Sequence, residues 1–190
     1  KVLVKPNIGW DVVPELAANT NPSLVKRIIE HCLKAGAKEV YVFDHTCDNW
    51  VNCYKNSGIE KAAKDAGAKV VPGNSEKYYQ EVEIPGGLRL KSAKVHELLL
   101  ESDVFINVPV LKDHNSTRMT SCLKNMMGVV WDRGYWHSNN LNQCIDNLNM
   151  VINEMVLLNE NHKAGDIDHL IQVDKFTGAY LQMAQGVNEA

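Results

Sequence analysis

The chain has no Gly-x-Gly-x-x-Gly, no Cys-x-x-Cys pair and no long apolar run. Each absence removes a class of protein. The glycine fingerprint lets a helix start approach a dinucleotide pyrophosphate, so its absence after the first strand argues against a plain dehydrogenase. The five cysteines, at 32, 47, 53, 122 and 144, are odd in number and lack the spacing of a disulfide scaffold or a structural zinc site. Most are expected reduced or buried, with Cys47 and Cys53, which flank a loop, as the one pair placed to bridge. Without a Cys-x-x-Cys-x-x-Cys run this chain alone does not ligate a ferredoxin-type cluster.

No stretch approaches the roughly 18 to 20 apolar residues that span a bilayer, and no secretory leader is visible. Cysteine usage favours the cytoplasm, while a start at Lys1 rather than Met leaves export open. Charge of one sign is also missing. The 20 Lys and Arg are scattered among 23 Asp and Glu, for a net charge of -3, which gives no basic face for nucleic acid but is compatible with a local basic pocket.

What is present suits an α/β protein. The 190 residues, 45% hydrophobic and 23% charged, are enough for one globular domain, and after about residue 140 the pattern reads as a discontinuous piece of a longer chain. Lys1 to Val4 reads as a strand ended by Lys5-Pro6-Asn7, since Pro6 has no N–H for a ladder and holds Lys5 extended. Asn21, Pro22 and Ser23 open a helix with Leu24, Val25, Ile28, Ile29, Cys32 and Leu33 at helical spacing, and Gly36 stops it. Val40 to Phe43 is a second strand ending in Asp44, His45 and Thr46. A loop from Cys47 to Ser57, a helix from Gly58 to Ala66 and a strand from Lys69 to Val71 follow. The pattern predicts a mainly parallel, Rossmann-like sheet flanked by helices.

Tyr78 to Ile84 and Leu88 to Leu90, around Pro85-Gly86-Gly87, predict a small antiparallel flap. Ser92 is placed to cap a helix over Ala93 to Ser102, on which His96 reads as structural or exposed. After His137 the pattern weakens to a mixed apolar and Asn stretch over 141 to 156, a strand over 166 to 173 and a helix over 178 to 185.

The most informative stretch lies between. Val104 to Val110 is apolar except for Asn107, as in a strand buried on both faces, and then turns polar at Lys112, Asp113 and His114. Groups just past the carboxyl end of such a strand stand where open α/β sheets bind ligands. A Ser/Thr-rich turn, Asn115 to Ser121, precedes CLKNMMG with Lys124, Asn125 and Gly128, and His137 follows an aromatic loop. Lys5, Asn7, Lys112, His114, Lys124, Asn125 and His137 are the candidate site, with Asp44 and Asp113 able to orient a His or a metal.

The K-P-N, D-x-x-I-N-x-P-x-x-K-x-H and L-K-N-x-x-G patterns, in this order, resemble the family called domain of unknown function 362. The resemblance covers most of residues 1 to 148. It implies company with iron-sulfur proteins or domains, since members are often joined to such modules. A more distant resemblance is to nickel-pincer lactate racemases. There His114 would match the proton-transferring His, Lys124 the cofactor-carrying Lys and His137 a metal ligand, although NSTRMTSC replaces that family's Gly-rich turn.

The residues, together with what the two resemblances imply, leave three readings open. His114 and Lys124 suit acid–base or covalent catalysis, in a metal- or cofactor-dependent isomerase or oxidoreductase acting on a small anionic molecule, with Lys5, Asn7, Lys112 and Asn125 binding the ligand and His137 and Asp44 holding a divalent metal or metal-organic cofactor. The second reading is a non-catalytic module binding a phosphate or carboxylate through Lys5, Lys112, Arg118 and Lys124. The third is an accessory partner of iron-sulfur electron-transfer proteins.

Overall fold

A computed structural model describes residues 1–150 and Ile152. The strand expected over 166–173 and the helix over 178–185 lie outside the described residues. The chain forms two compact units, one from residues 1–79 and 95–131, the other from 80–94 and the residues after 131.

The first unit is built on a four-stranded parallel sheet in the order β3-β2-β1-β6, with β1 Val2–Pro6, β2 Val40–Val42, β3 Lys69–Val70 and β6 Val104–Val108. All five residues of β1 are buried. The reason is position: β1 has a neighbour on each edge and cover on each face. Its register sets Val4 beside Val42 and Ile106, and Lys5 beside Asn107. The two polar residues of these strands therefore share a rung near the carboxyl edge.

Helices α1 (Pro22–Lys34), α2 (Trp50–Asn56) and α3 (Ile59–Asp65) accompany this sheet. Asn21 caps α1 by accepting from Ser23 N at 2.9 Å, and Pro22 gives up an N–H that the first turn leaves unpaired anyway. Val25 and Ile29, one turn apart, join Val4, Val42, Ile59 and Ala63 in a fully buried core. Each such aliphatic side chain contributes roughly 1.5–3 kcal/mol on burial. The loop expected over 47–57 contains α2, because Asn49 caps it through Asn52 N at 3.2 Å and Tyr54 is buried against the end of β2. No Cys47–Cys53 bridge forms. Cys53 is buried on α2 with its Sγ near Gly9 O, whereas Cys47 is exposed.

Two further corrections concern the segments around the flap and the motif stretch. Strand β4 (Tyr79–Glu83) pairs not with 88–90 but with β5 (Ser92–His96), and helix α4 is confined to Glu97–Glu101. Ala93 and Val95 are buried in period-2 alternation, which wins over the helical reading. The Ser/Thr-rich turn contains a strand of its own: β7 (Lys112–His114) and β8 (Arg118–Thr120) pair antiparallel, Lys112 opposite Thr120 and His114 opposite Arg118. The short helix α5 (Cys122–Asn125) and a 3-10 turn, Met126–Val129, complete the stretch.

His96 caps α4, its Nδ1 accepting from Leu98 N at 3.2 Å while Nε2–H faces Pro72 O at 3.2 Å. Both bonds suit the neutral ring, which stacks on Phe43 at 3.9 Å. Burial lowers its pKa from 6.5 to about 4, against the opposing pull of the Pro72 carbonyl. The unfolded chain therefore binds the proton first as pH falls. His96 stabilisation is fully present above about 6.5 and is lost progressively towards about 4, on the order of 2–3 kcal/mol. Denaturation midpoints measured from pH 7 to pH 4 are expected to fall in wild type and to fall less in His96→Gln; parallel curves would refute this assignment.

In the second unit, Asn147 Oδ1 accepts from Arg89 N at 3.0 Å and Leu90 N at 3.2 Å, satisfying a turn that lacks ladder partners there. Helix α6 (Arg133–Ser138) buries Trp136, and the helical residues 141–150 bury Leu141, Cys144, Ile145 and Leu148 at spacings of three and four.

Candidate functional site

The carboxyl edge of the parallel sheet gathers side chains from four sequence patterns. Lys5, at the end of β1, is completely buried. Its ammonium lies 2.8 Å from Asp44 Oδ1, and donates to Pro6 O at 2.9 Å and Asn125 Oδ1 at 2.9 Å. The Asp44 contact is ionic rather than an aligned hydrogen bond, since Oδ1 accepts none. Asp44 Oδ2 accepts from Ile8 N at 2.6 Å, and Tyr54 Oη bonds the backbone of both Asp44 and Val71, tying the ends of β2 and β3 together.

Asn125 is the hub. Its Oδ1 accepts from Lys5 and, at 3.1 Å, from Asn7 Nδ2, while its Nδ2 donates to Asn107 Oδ1 at 2.7 Å. These partners fix the amide orientation, because only the oxygen can face the ammonium. Gly128 lies against the same group: a Cβ there would stand 1.9 Å from Asp44 Oδ1 and 2.5 Å from Lys5 Nζ. His45 N donates to Gly128 O at 3.0 Å and His45 Nδ1 faces Val130 O at 2.8 Å, so the backbone of the motif is held against β2.

Lys112 continues the chain outward. Its ammonium donates to Asn7 Oδ1 at 3.0 Å and Ala18 O at 2.6 Å, both neutral acceptors, and among the described residues no carboxylate forms an ion pair with it. Its pKa is lowered by burial, against opposing attraction from Cys47 and Asp44. Two lysines and one aspartate leave a formal charge of +1 at this edge, carried by the half-buried Lys112.

Strand alternation gives the hairpin two faces. Lys112, His114, Arg118 and Thr120 share one, and Asp113 and Met119 occupy the other. His114 Nδ1 accepts from Ser116 N and Thr117 N, each at 3.2 Å, and lies 3.1 Å from Thr117 Oγ1, so in the neutral ring the proton resides on Nε2. Of the expected site residues, Lys5, Asn7, Lys112 and Asn125 form one hydrogen-bonded network, which Asp44 joins through its ion pair with Lys5. His114 and Lys124 stand on β7 and α5. His137 belongs to the other unit, exposed on α6.

The donors do not fit a bound metal or metal-organic cofactor. Among the described residues no three His, Cys, Asp or Glu side chains gather, and Asp44 faces Lys5 and Ile8 N. Where a cofactor cradle would fall, the chain forms the β7–β8 hairpin.

Asn107, Gly128 and Thr120 belong to this region beyond the expected set. A single amide inside an apolar strand marks Asn107, and the closing glycine of L-K-N-x-x-G marks Gly128. Nothing local marks Thr120.

The fold and site define an α/β protein whose sheet edge carries a sealed lysine–aspartate pair and a second, uncompensated lysine. The match to the family model Domain of unknown function (DUF362) runs over residues 2–184, and the chain belongs to that family. It is 25% identical over 139 residues, 72% of its length, to Thylakoid-associated protein sll1697 of Synechocystis sp., and the match spans 42% of that relative. No solved structure matches. Among the described residues no helix is long and apolar enough to cross a membrane.

Proposed function

We propose that the chain binds a small anionic molecule at the carboxyl edge of its parallel sheet, with Lys112 as the charge partner. One observation carries this: a half-buried ammonium held by Asn7 and Ala18 oxygens and, among the described residues, by no carboxylate. Desolvating a cation without a counter-charge is costly, and a bound anion offsets that cost. The Lys5–Asp44 pair plays another part. Both charges are sealed and mutually neutralised, so Lys5 acts as the rigid base that positions Asn125, Asn7 and hence Lys112.

Thermal denaturation with inorganic phosphate and with malonate tests the reading. At about 100 times the dissociation constant an anion adds about 2.7 kcal/mol, which raises the midpoint by roughly 5–10 °C in a chain of this size. Lys112→Met is expected to abolish that rise while the protein stays folded. The rise in wild type is expected to fade as pH climbs through the lowered Lys112 pKa, sooner than for an exposed lysine. Equal responses of wild type and Lys112→Met would reject the proposal.

A further inference from the structure

We infer that Thr120 is the second contact of this site, its hydroxyl donating to the oxyanion that Lys112 neutralises. The inference rests on the anion-binding reading and adds to it the chemical class of the bound group. Thr120 is 2% exposed, and its Oγ1 is buried without a hydrogen-bond partner. A buried hydroxyl left unpaired is destabilising, and buried polar groups are nearly always satisfied. The register of the hairpin places Thr120 directly opposite Lys112, on the same face. An orphaned donor and an uncompensated cation therefore meet on one rung.

Beside a positive charge the hydroxyl is oriented to donate, so the group that satisfies both is an oxygen anion: a carboxylate or a phosphate. Because Oγ1 is closed off, binding entails a movement of the β7–β8 hairpin, and the missing hydrogen bond is what that movement restores. Arg118, exposed on the same face and held at a left-handed φ of 61°, lies two rungs further out. Such a backbone is unfavourable for a residue other than glycine, and it lies in the element that must move.

Thr120→Val and Thr120→Ser, compared with wild type and Lys112→Met by thermal denaturation and by titration with phosphate and with malonate, test the assignment. Thr120→Val is expected to raise the ligand-free midpoint, since an orphaned hydroxyl is replaced by a methyl group of similar shape. It should also weaken the preferred anion about five- to tenfold, the worth of one hydrogen bond. Thr120→Ser should keep wild-type affinity. The preferred probe decides between phosphate and carboxylate.

A fall in the ligand-free midpoint of Thr120→Val, as for a hydroxyl held by an ordered water, would overturn the assignment. So would unchanged affinity. If Lys112→Met loses the anion response while Thr120→Val keeps it, only Thr120 is removed; if wild type responds to neither anion, the binding site falls with it.

Discussion

Gly128→Ala is expected to lower stability by about 3–5 kcal/mol, a large fraction of the roughly 5–15 kcal/mol typical of a folded domain. The added Cβ would meet Asp44 Oδ1 at 1.9 Å and Lys5 Nζ at 2.5 Å. Neither atom can retreat cheaply. Lys5 is held by Pro6 O and Asn125, Asp44 by Ile8 N, and the motif backbone by His45 N. Either the buried ion pair separates, stranding two charges away from water, or the turn at 126–129 lifts and exposes Met126, Met127 and Val129. Urea denaturation reads the loss. Gly134→Ala, at a position where a Cβ meets nothing within 4 Å, serves as the control and is expected to change stability by less than about 0.5 kcal/mol. Equal midpoints for the two variants would show that the close approach is absent in solution.

Removing one half of the ion pair should be nearly as severe, and removing both much less so. Lys5→Met leaves the Asp44 carboxylate buried with Ile8 N as its remaining side-chain partner, and Asp44→Leu leaves an ammonium among amides. Breaking such a buried pair typically costs about 3–5 kcal/mol, because the surviving charge keeps its desolvation penalty without its counter-charge. The double variant Lys5→Met, Asp44→Leu buries apolar groups instead and is expected to recover most of the loss. A double-mutant cycle in urea would then show a coupling well beyond additivity. Additive losses would mean that the two groups do not interact. The double variant should also loosen Asn125 and Asn7, so weaker phosphate or malonate binding in a folded protein would report the positioning role of the pair.

The parallel sheet was legible because its strands are short apolar runs punctuated by polar ends, and each predicted end lies near an observed one. Lys5, Asn7, Asp44 and Lys112 could be named from their places at those ends, and Asn125 from the L-K-N-x-x-G pattern. Their division of labour could not. Whether a lysine after a strand meets water, a carboxylate or a carbonyl depends on what arrives from distant parts of the chain, up to 120 positions away. The hairpin β7–β8 was hidden for a different reason. Its residues are polar and its turn is fixed by His114 Nδ1 receiving two backbone N–H groups, a local competition that hydrophobic period does not register. The flap was misaligned because Ser92 is a plausible helix cap, whereas His96 performs that role. Thr120 carries no mark in the chain at all, since its importance lies in a bond that it lacks.

The hydrogen bond from Lys5 to Asn125 joins positions 120 residues apart. During synthesis, β1 emerges before Asn125 and its lysine must wait for the segment that will satisfy it. Closing so long a loop is slow relative to local helix formation, and the ammonium stays hydrated until then. A fragment ending before Asn125 would therefore carry the aspartate–lysine pair without the amide that completes it.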